Sequence, residues 1–300
     1  MKAIVYTKYG PPDVLQLKEV EKPASKDDEV LIEVHAASVN AYDWHLLTAD
    51  IFLVRLMGGG LLKPKNTIPG IDIAGRVETV GRNVKQFRPG DEVFGDISAS
   101  SNGGFAEYVS VPESALVLKP ANLSFEEAAA VPMAAVTALQ GLRDKGQIQP
   151  GQKVLINGAS GGVGTFAVQI AKYFGAEVTA VCSTRNVDLA HSLGADHVID
   201  YTKEDFTNRG ELYDFIFNAV GKRKAKLLCK KALTPNGKHI TVDDGSPKVH
   251  IEDLILLKEL VEAGKIKPVI DRCYPLEQMA EAHRYVDRGH KKGNIVITVG

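Results

Sequence analysis

The chain has 300 residues, 44% apolar and 24% charged, with a formal net charge of -1. That length exceeds what one core usually fills, so two domains are expected. The near-neutral balance argues against nucleic acid as a partner, because phosphate backbones select a clear positive excess. Cys182, Cys229 and Cys273 lie far apart in sequence. They offer no metal-ligand spacing and no disulfide framework, which fits a reducing, cytoplasmic setting. The run Met1–Tyr6 is too short for a signal peptide and reads as a strand, and no stretch of about 18 apolar residues occurs, so no membrane span is expected.

The first part of the chain is rich in β-branched residues, Gly and Pro. Val30–Ala37 and Ile71–Val80 read as strands, Val80–Asn83 as a turn, and Arg88–Asp91 as a Pro-Gly turn feeding a strand. Many short strands with such turns suggest a small β-barrel-like domain. The texture changes near Asn122. Ser124 followed by Glu127 is a capping box. The Ala-rich run Ala128–Ala138 supports a helix that Pro132 must kink or end. Strands at Lys153–Asn157, Glu177–Val181, Val198–Ile199, Tyr213–Asn218 and Lys238–Val242 then alternate with helices at Gly162–Phe174, Asn186–Leu193 and near Lys222–Lys231. This alternation is the pattern of a doubly wound α/β fold with a parallel sheet. Ile251–Ala263 is an amphipathic helix. Gly293–Val299 is a strand outside these βα units and is expected to return to the first domain.

The stretch Ile156–Gly164, INGASGGVG, lies between a strand and a helix. A helix N-terminus has unpaired N–H groups and partial positive charge, and small residues let a pyrophosphate approach the backbone. In the pattern G-x-G-x-x-G, Ala159 takes the first place, Gly161 the second and Gly164 the third. NAD-specific sites place an acid about 20 residues further on, on the ribose hydroxyls. Here that region holds Ser183, Thr184 and Arg185, and no carboxylate. Two hydroxyls and a guanidinium suit a 2′-phosphate, so NADPH is the expected cofactor. The alternative is an exposed Arg185 at a helix start, with NADH as cofactor.

Several motifs together resemble those of the medium-chain dehydrogenase/reductases, in their zinc-independent quinone oxidoreductase branch. They are Val39–Trp44 (VNAYDW), Pro69–Gly75 (PGIDIAG), Pro89–Gly95 (PGDEVFG), Gly103–Tyr108 (GGFAEY), Asn157–Gly164 and Leu193–Tyr201 (LGADHVIDY). The resemblance implies a GroES-like β-barrel catalytic domain over 1–121 and 266–300. A Rossmann doubly wound parallel-sheet domain would occupy 122–265, with the active site in the cleft between domains. It implies that Ser160, Gly161, Gly162 and Val163 bind pyrophosphate. Ser183, Arg185 and Tyr201 would surround the 2′-phosphate, with Thr184 beside them. Thr137, Asn218 and Val220 would lie near the nicotinamide, and Asn40 would line the substrate side. Some relatives carry a Tyr where this chain has His45. His45 either donates to a substrate oxygen from the cleft or is a half-exposed helix residue. Tyr42 is equally open, and Asp43 and Asp72 read more simply as structural hydrogen-bonders than as catalytic acids.

The positions corresponding to the catalytic-zinc ligands of the family's alcohol dehydrogenases are Asn40, Ile71 and Met133. That is no Zn²⁺ ligand set, so no metal is expected. The expected activity is zinc-independent transfer of hydride from NADPH to a quinone or related conjugated carbonyl, a small-molecule substrate. The alternatives are a 2-alkenal or enone reductase, and a non-catalytic NADPH-binding sensor or interaction protein. Asp243–His250 replaces a longer segment that often pairs across a dimer axis in relatives, so a monomer or weak homodimer is expected. The segment Leu47–Lys65 reads as a flap.

Overall fold

The computed structural model describes residues 1–49, 60, 62–100, 102–221, 229–245, 247–289 and 291–300. In chain order its elements begin with β1 (Lys2–Val5), β2 (Gln16–Glu19), β3 (Glu29–Val39), α1 (Ala41–Thr48), β4 (Asp72–Val80), β5 (Glu92–Asp96), β6 (Tyr108–Pro112) and β7 (Val117–Leu118). There follow α2 (Phe125–Ala129), α3 (Pro132–Gln140), β8 (Lys153–Asn157), α4 (Gly162–Tyr173), β9 (Glu177–Cys182), α5 (Val187–Ser192), β10 (His197–Asp200) and β11 (Tyr213–Asn218). The chain continues through β12 (Leu233–Thr241), α6 (Ile251–Glu262), β13 (Ile270–Pro275), α7 (Met279–Asp287) and β14 (Asn294–Thr298). It divides into two compact units: Met1–Met133 with Val249–Lys258 and Ile270–Gly300, and Ala134–Lys248 with Glu259–Val269.

The main sheet of the first unit runs β13-β14-β3-β4-β5-β7, with β6 also on β3. One strand serves several neighbours because β3 is long and irregular. Its register on β4 shifts between Leu31 and Ile32 and again between Val34 and Ala36. Its first half, Glu29–Glu33, pairs with β6, and Ala36–Val39 pairs with β14. Such shifts bend a strand and let a sheet curl on itself. Val30, Ile32, Val34, Ile73, Val93, Phe105, Ile295 and Ile297 fill the enclosed core. The tail strand therefore returns to the first unit, as the sequence suggests. Its parallel neighbour β13 is not foreseen: it is an edge strand with mostly exposed or half-buried residues, so its pattern is weak.

The second unit holds a parallel sheet in the order β10-β9-β8-β11-β12. The chain winds outward from β8 through β9 to β10, then returns beside β8 at β11. That reversal is a topological switch point, and ligands bind outside the carboxyl ends of the strands there. Buried Leu155, Val181, Ile199, Tyr213 and Ile216 form part of the core. The fifth strand begins at Leu233, before the expected Lys238. The expected helix near Lys222–Lys231 falls largely outside the described residues; Lys230–Ala232 is a single 3₁₀ turn. Pro132 separates two helices as expected, opening α3 where no intrahelical N–H is needed. The flap reading falls mostly on residues 50–59 and 61, outside the described residues.

Candidate functional site

In the second unit, β8 ends at Asn157 and the chain turns at Gly158, whose φ is +83°. A Cβ at Gly158 would stand 2.6 Å from Val220 Cγ2, and one at Gly164 would stand 2.0 Å from the Gly158 carbonyl oxygen. Helix α4 thus lies against its own approach turn, at a distance only glycine permits. The tight turn belongs to Gly158, while Ala159, given the first place of the pattern from sequence, is buried. Gly161, the N-cap, differs. A Cβ there meets nothing nearer than 3.5 Å, and no side chain caps the helix. This is an open cradle of N–H groups at a helix N-terminus, and its geometry fits a pyrophosphate.

Ser160 and Ser183 are brought together by Asn186, which sequence reading does not single out. Its Nδ2 donates to Ser160 Oγ at 2.9 Å and lies 3.4 Å from Ser183 Oγ. Asn186 is buried and ends the 3₁₀ turn Thr184–Asn186. The only signal for it in the sequence is its place one turn beyond Ser183. Arg185 and Tyr201 are exposed at the ends of β9 and β10, as a site for a charged ligand requires.

Thr184 turns toward β10. Its Oγ1 donates to Asp200 Oδ2 at 2.5 Å and lies 2.8 Å from Thr202 Oγ1. Thr202 donates to Asp200 Oδ1 from its N (3.0 Å) and its Oγ1 (2.7 Å), and Lys203 Nζ is 3.3 Å from Oδ2. The hydroxyls of Thr184 and Thr202 hold the Asp200 carboxyl far below the usual carboxylate range. The fold therefore brings an acid near this end of the sheet from the third strand, where a reading of the second strand finds none. Its oxygens are occupied by protein donors.

At the end of β11, Asn218 is 1% exposed. Its Oδ1 accepts from Asn157 Nδ2 (3.1 Å) and Val220 N (3.2 Å), and its Nδ2 donates to the Gly221 carbonyl (3.0 Å). Asn218 joins the carboxyl ends of β8 and β11 at the switch point, and Val220 beside it is exposed. Thr137 of α3 lines a cavity of about 10 Å3 with Phe217, Thr241, Val242 and Pro247.

In the first unit, Asn40 caps α1. Its N–H donates to Asp43 Oδ2 at 2.9 Å, closing the capping box. Its Nδ2 donates to Ser38 Oγ and Asp72 Oδ2, both at 3.0 Å. Asp43 is fully buried, and burial pushes its carboxyl up to about 7. Tyr42 is half-buried, its phenol raised by burial and by the nearby Asp43 and Asp96. His45 is half-buried one turn further along. Among the described residues no three His, Cys, Asp or Glu side chains come together to hold a metal. The positions matched to zinc ligands hold a carboxamide committed to Ser38 and Asp72, a buried Ile71 and a thioether at Met133. That donor set does not fit Zn²⁺.

Comparison with known proteins agrees with this architecture. Residues 26–121 match the alcohol dehydrogenase GroES-like domain, and 162–265 and 243–297 match zinc-binding dehydrogenase models. A 2-methylene-furan-3-one reductase of Solanum lycopersicum is 40% identical over 99% of this chain and 79% of its own length. A chloroplastic NADPH-dependent alkenal/one oxidoreductase of Arabidopsis thaliana is 36% identical over the same shares, 99% and 79%. The solved quinone oxidoreductase of Coxiella burnetii superposes with a TM-score of 0.87 at 30% identity, covering 100% of this chain and 99% of that one. A GroES-like sheet unit joined to a Rossmann sheet with a glycine cradle at its switch point, together with these matches, shows that the chain belongs to the medium-chain dehydrogenase/reductase family.

Proposed function

We propose that this chain is a zinc-independent, NADPH-dependent oxidoreductase that reduces quinones and related conjugated carbonyls. The observation that carries the reading is the open glycine cradle of Gly158–Gly164, tied through Asn186 to a β9 end that presents Ser183 and Arg185. In this reading the Rossmann domain spans 122–265 and the catalytic domain 1–121 with 266–300. NADPH, when bound, supplies the hydride. The N–H groups of Gly162 and Val163 and the Ser160 hydroxyl bind its pyrophosphate, and Gly161, whose own N–H is given to the Gly158 carbonyl, leaves room for it. Ser183, Arg185 and Tyr201 take the 2′-phosphate, with Thr184 holding Asp200 aside. Asn218 fixes the ends of β8 and β11, and Thr137 and Val220 flank the nicotinamide. Asn40, with Tyr42 and His45 on the same helix, borders the substrate. Zinc independence is supported by the ligand set at Asn40, Ile71 and Met133. A reducing, cytoplasmic setting is supported by the free cysteines Cys182, Cys229 and Cys273.

An enone reductase is the second reading, favoured by the names of the tomato and Arabidopsis relatives. Both are tested by following NADPH oxidation with phenanthrenequinone and with a medium-chain 2-alkenal side by side. Each is repeated with NADH and with a strong chelator. Quinone turnover indifferent to chelator supports the main reading, and alkenal turnover alone moves the chain to the enone reductases. Tight NADPH binding without turnover of either would mark a binding protein.

A further inference from the structure

Two carboxylates to which the proposed reaction gives no role, Asp72 and Asp96, are buried opposite each other in the first unit. Ser38 on β3, Asp72 on β4 and Asp96 on β5 are direct register partners, so they form one cross-strand row on one face. Asp72 is fully buried and Asp96 is 4% exposed. Directly opposed carboxylates out of water cannot both ionise without strong repulsion. Among the described residues no Lys, Arg or His forms an ion pair with either. Burial holds both carboxyls above the usual range, and the charge of Asp96 adds to the rise at Asp72.

Hydrogen-bond donors distinguish the two acids. Asp72 Oδ2 accepts from Ser38 Oγ (3.2 Å), Asn40 Nδ2 (3.0 Å) and Met133 N (3.0 Å). Such a set suits a carboxylate. Asp96 Oδ1 accepts from Ser98 N at 2.7 Å, and its Oδ2 is buried without a partner. An orphaned buried oxygen, on a carboxyl whose register partner is a second acid, suits the protonated form. We infer that Asp96 carries a proton on Oδ2 and shares it with Asp72, and that this proton keeps Asn40 and the first turn of α3 in place. Asp96 is then a positioning residue acting through Asp72. Both N–H groups of the Asn40 amide are committed, one to Asp72 and one to Ser38, which itself bonds Asp72. The orientation of Asn40 therefore follows the charge on Asp72. The other titratable groups facing the row are Asp43 and Tyr42 on α1, and Lys291 ahead of β14 faces Asp43. The consequence for turnover rests on the proposed place of Asn40 at the substrate.

The test uses the full chain in two measurements. Infrared spectra at about pH 8, above the range in which Asp43 titrates, read the protonated-carboxyl band without any substrate. The band is expected in the parent protein and in Asp43→Asn, and absent in Asp96→Asn. For kinetics, the amide of Asp96→Asn donates to Asp72 as the acid does and is expected to rescue kcat to within about threefold, whereas Asp96→Val lowers kcat on the order of tenfold with the KM for NADPH held. Loss of the shared proton at high pH is expected to lower kcat in the parent, and no such fall is expected in Asp96→Asn. No carboxyl band in the parent, a band that survives Asp96→Asn, or an Asp96→Asn as slow as Asp96→Val would each overturn the inference. A parent that binds NADPH but turns over neither acceptor counts against the proposed reaction alone, because the infrared result still decides the proton.

Discussion

Asn186 Nδ2 donates to Ser160 Oγ at 2.9 Å, so the end of β9 and the glycine cradle after β8 are held by one buried side chain. A hydrogen bond of this kind contributes about 1 kcal/mol, and losing it also leaves the Ser160 hydroxyl free to turn away from a bound phosphate. Asn186→Ala is expected to raise the Kd for NADPH by roughly five- to tenfold. Fluorescence titration of NADPH reads this directly. An unchanged Kd would remove Ser160 from the pyrophosphate site.

Arg185 bears on the choice between cofactors. It is exposed at the end of β9, while Asp200, the acid that β10 brings to this end of the sheet, is occupied by Thr184, Thr202 and Lys203. Arg185→Ala is expected to raise the KM for NADPH on the order of tenfold and leave that for NADH within about twofold, since only the former carries the 2′-phosphate that a guanidinium recognises. Equal effects on both cofactors would point to a structural role.

Much of this was legible in the sequence because the local signals agree with the tertiary result. The βα alternation from Lys153 onward, the capping box at Ser124 and the glycines of INGASGGVG each report a local constraint. The tail strand is legible because it belongs to no βα unit. What is not legible depends on partners distant in sequence. Asp200 reaches Thr184 only because β9 and β10 are adjacent, and the row Ser38–Asp72–Asp96 exists only through the register of β3, β4 and β5. Gly158 and Ala159 show a finer limit: spacing assigns the pattern's first place to Ala159, but positive φ assigns the turn to Gly158.

The edge of the Rossmann sheet bears on assembly. β12 is its last strand, and Asp243–His250 follows at once. Asp244 and Lys248 of that segment are tied back onto the same unit, since Gln140 Nε2 donates to the Lys248 carbonyl at 2.6 Å and Lys145 Nζ to that of Asp244 at 3.2 Å. A dimer through an added strand at this edge needs a segment that this chain keeps for itself. Sedimentation at micromolar concentration is expected to show a monomer. A tight dimer cross-linked at β12 would contradict it.

Asp43 gives the first unit a stability that depends on pH. Burial raises its carboxyl to about 7, against roughly 3.9 in an unfolded chain. Between those values the folded protein holds a proton that the unfolded chain has released, so its contribution to stability falls as pH rises through this window and stays low above it. Asp43→Asn keeps an acceptor for the Asn40 N–H and removes the titration. Urea unfolding is expected to show this variant gaining on the parent as pH rises from about 4 to 7. A parallel pair of pH profiles would place the buried charge elsewhere.

His283 on α7 works in the opposite direction. It is 1% exposed, both its ring nitrogens lack a partner, and it lies edge-on to Phe105 at 6.3 Å and tilted against Trp44 at 6.4 Å. Burial lowers its imidazole to about 4. Between that value and the unfolded value of about 6.5, the unfolded chain takes up a proton that the folded one refuses. Stability from this group is therefore present above about pH 6.5 and is lost as pH falls toward 4, a difference of about 2 kcal/mol already at pH 5. His283→Leu also removes two unpaired polar atoms from an aromatic pocket. It is expected to unfold at higher urea than the parent throughout, with the gap widening below about pH 6. The opposing slopes of Asp43 and His283 overlap, so the parent profile is flatter than that of either variant. A gap that stayed constant with pH would show that His283 takes up its proton at the same pH folded and unfolded.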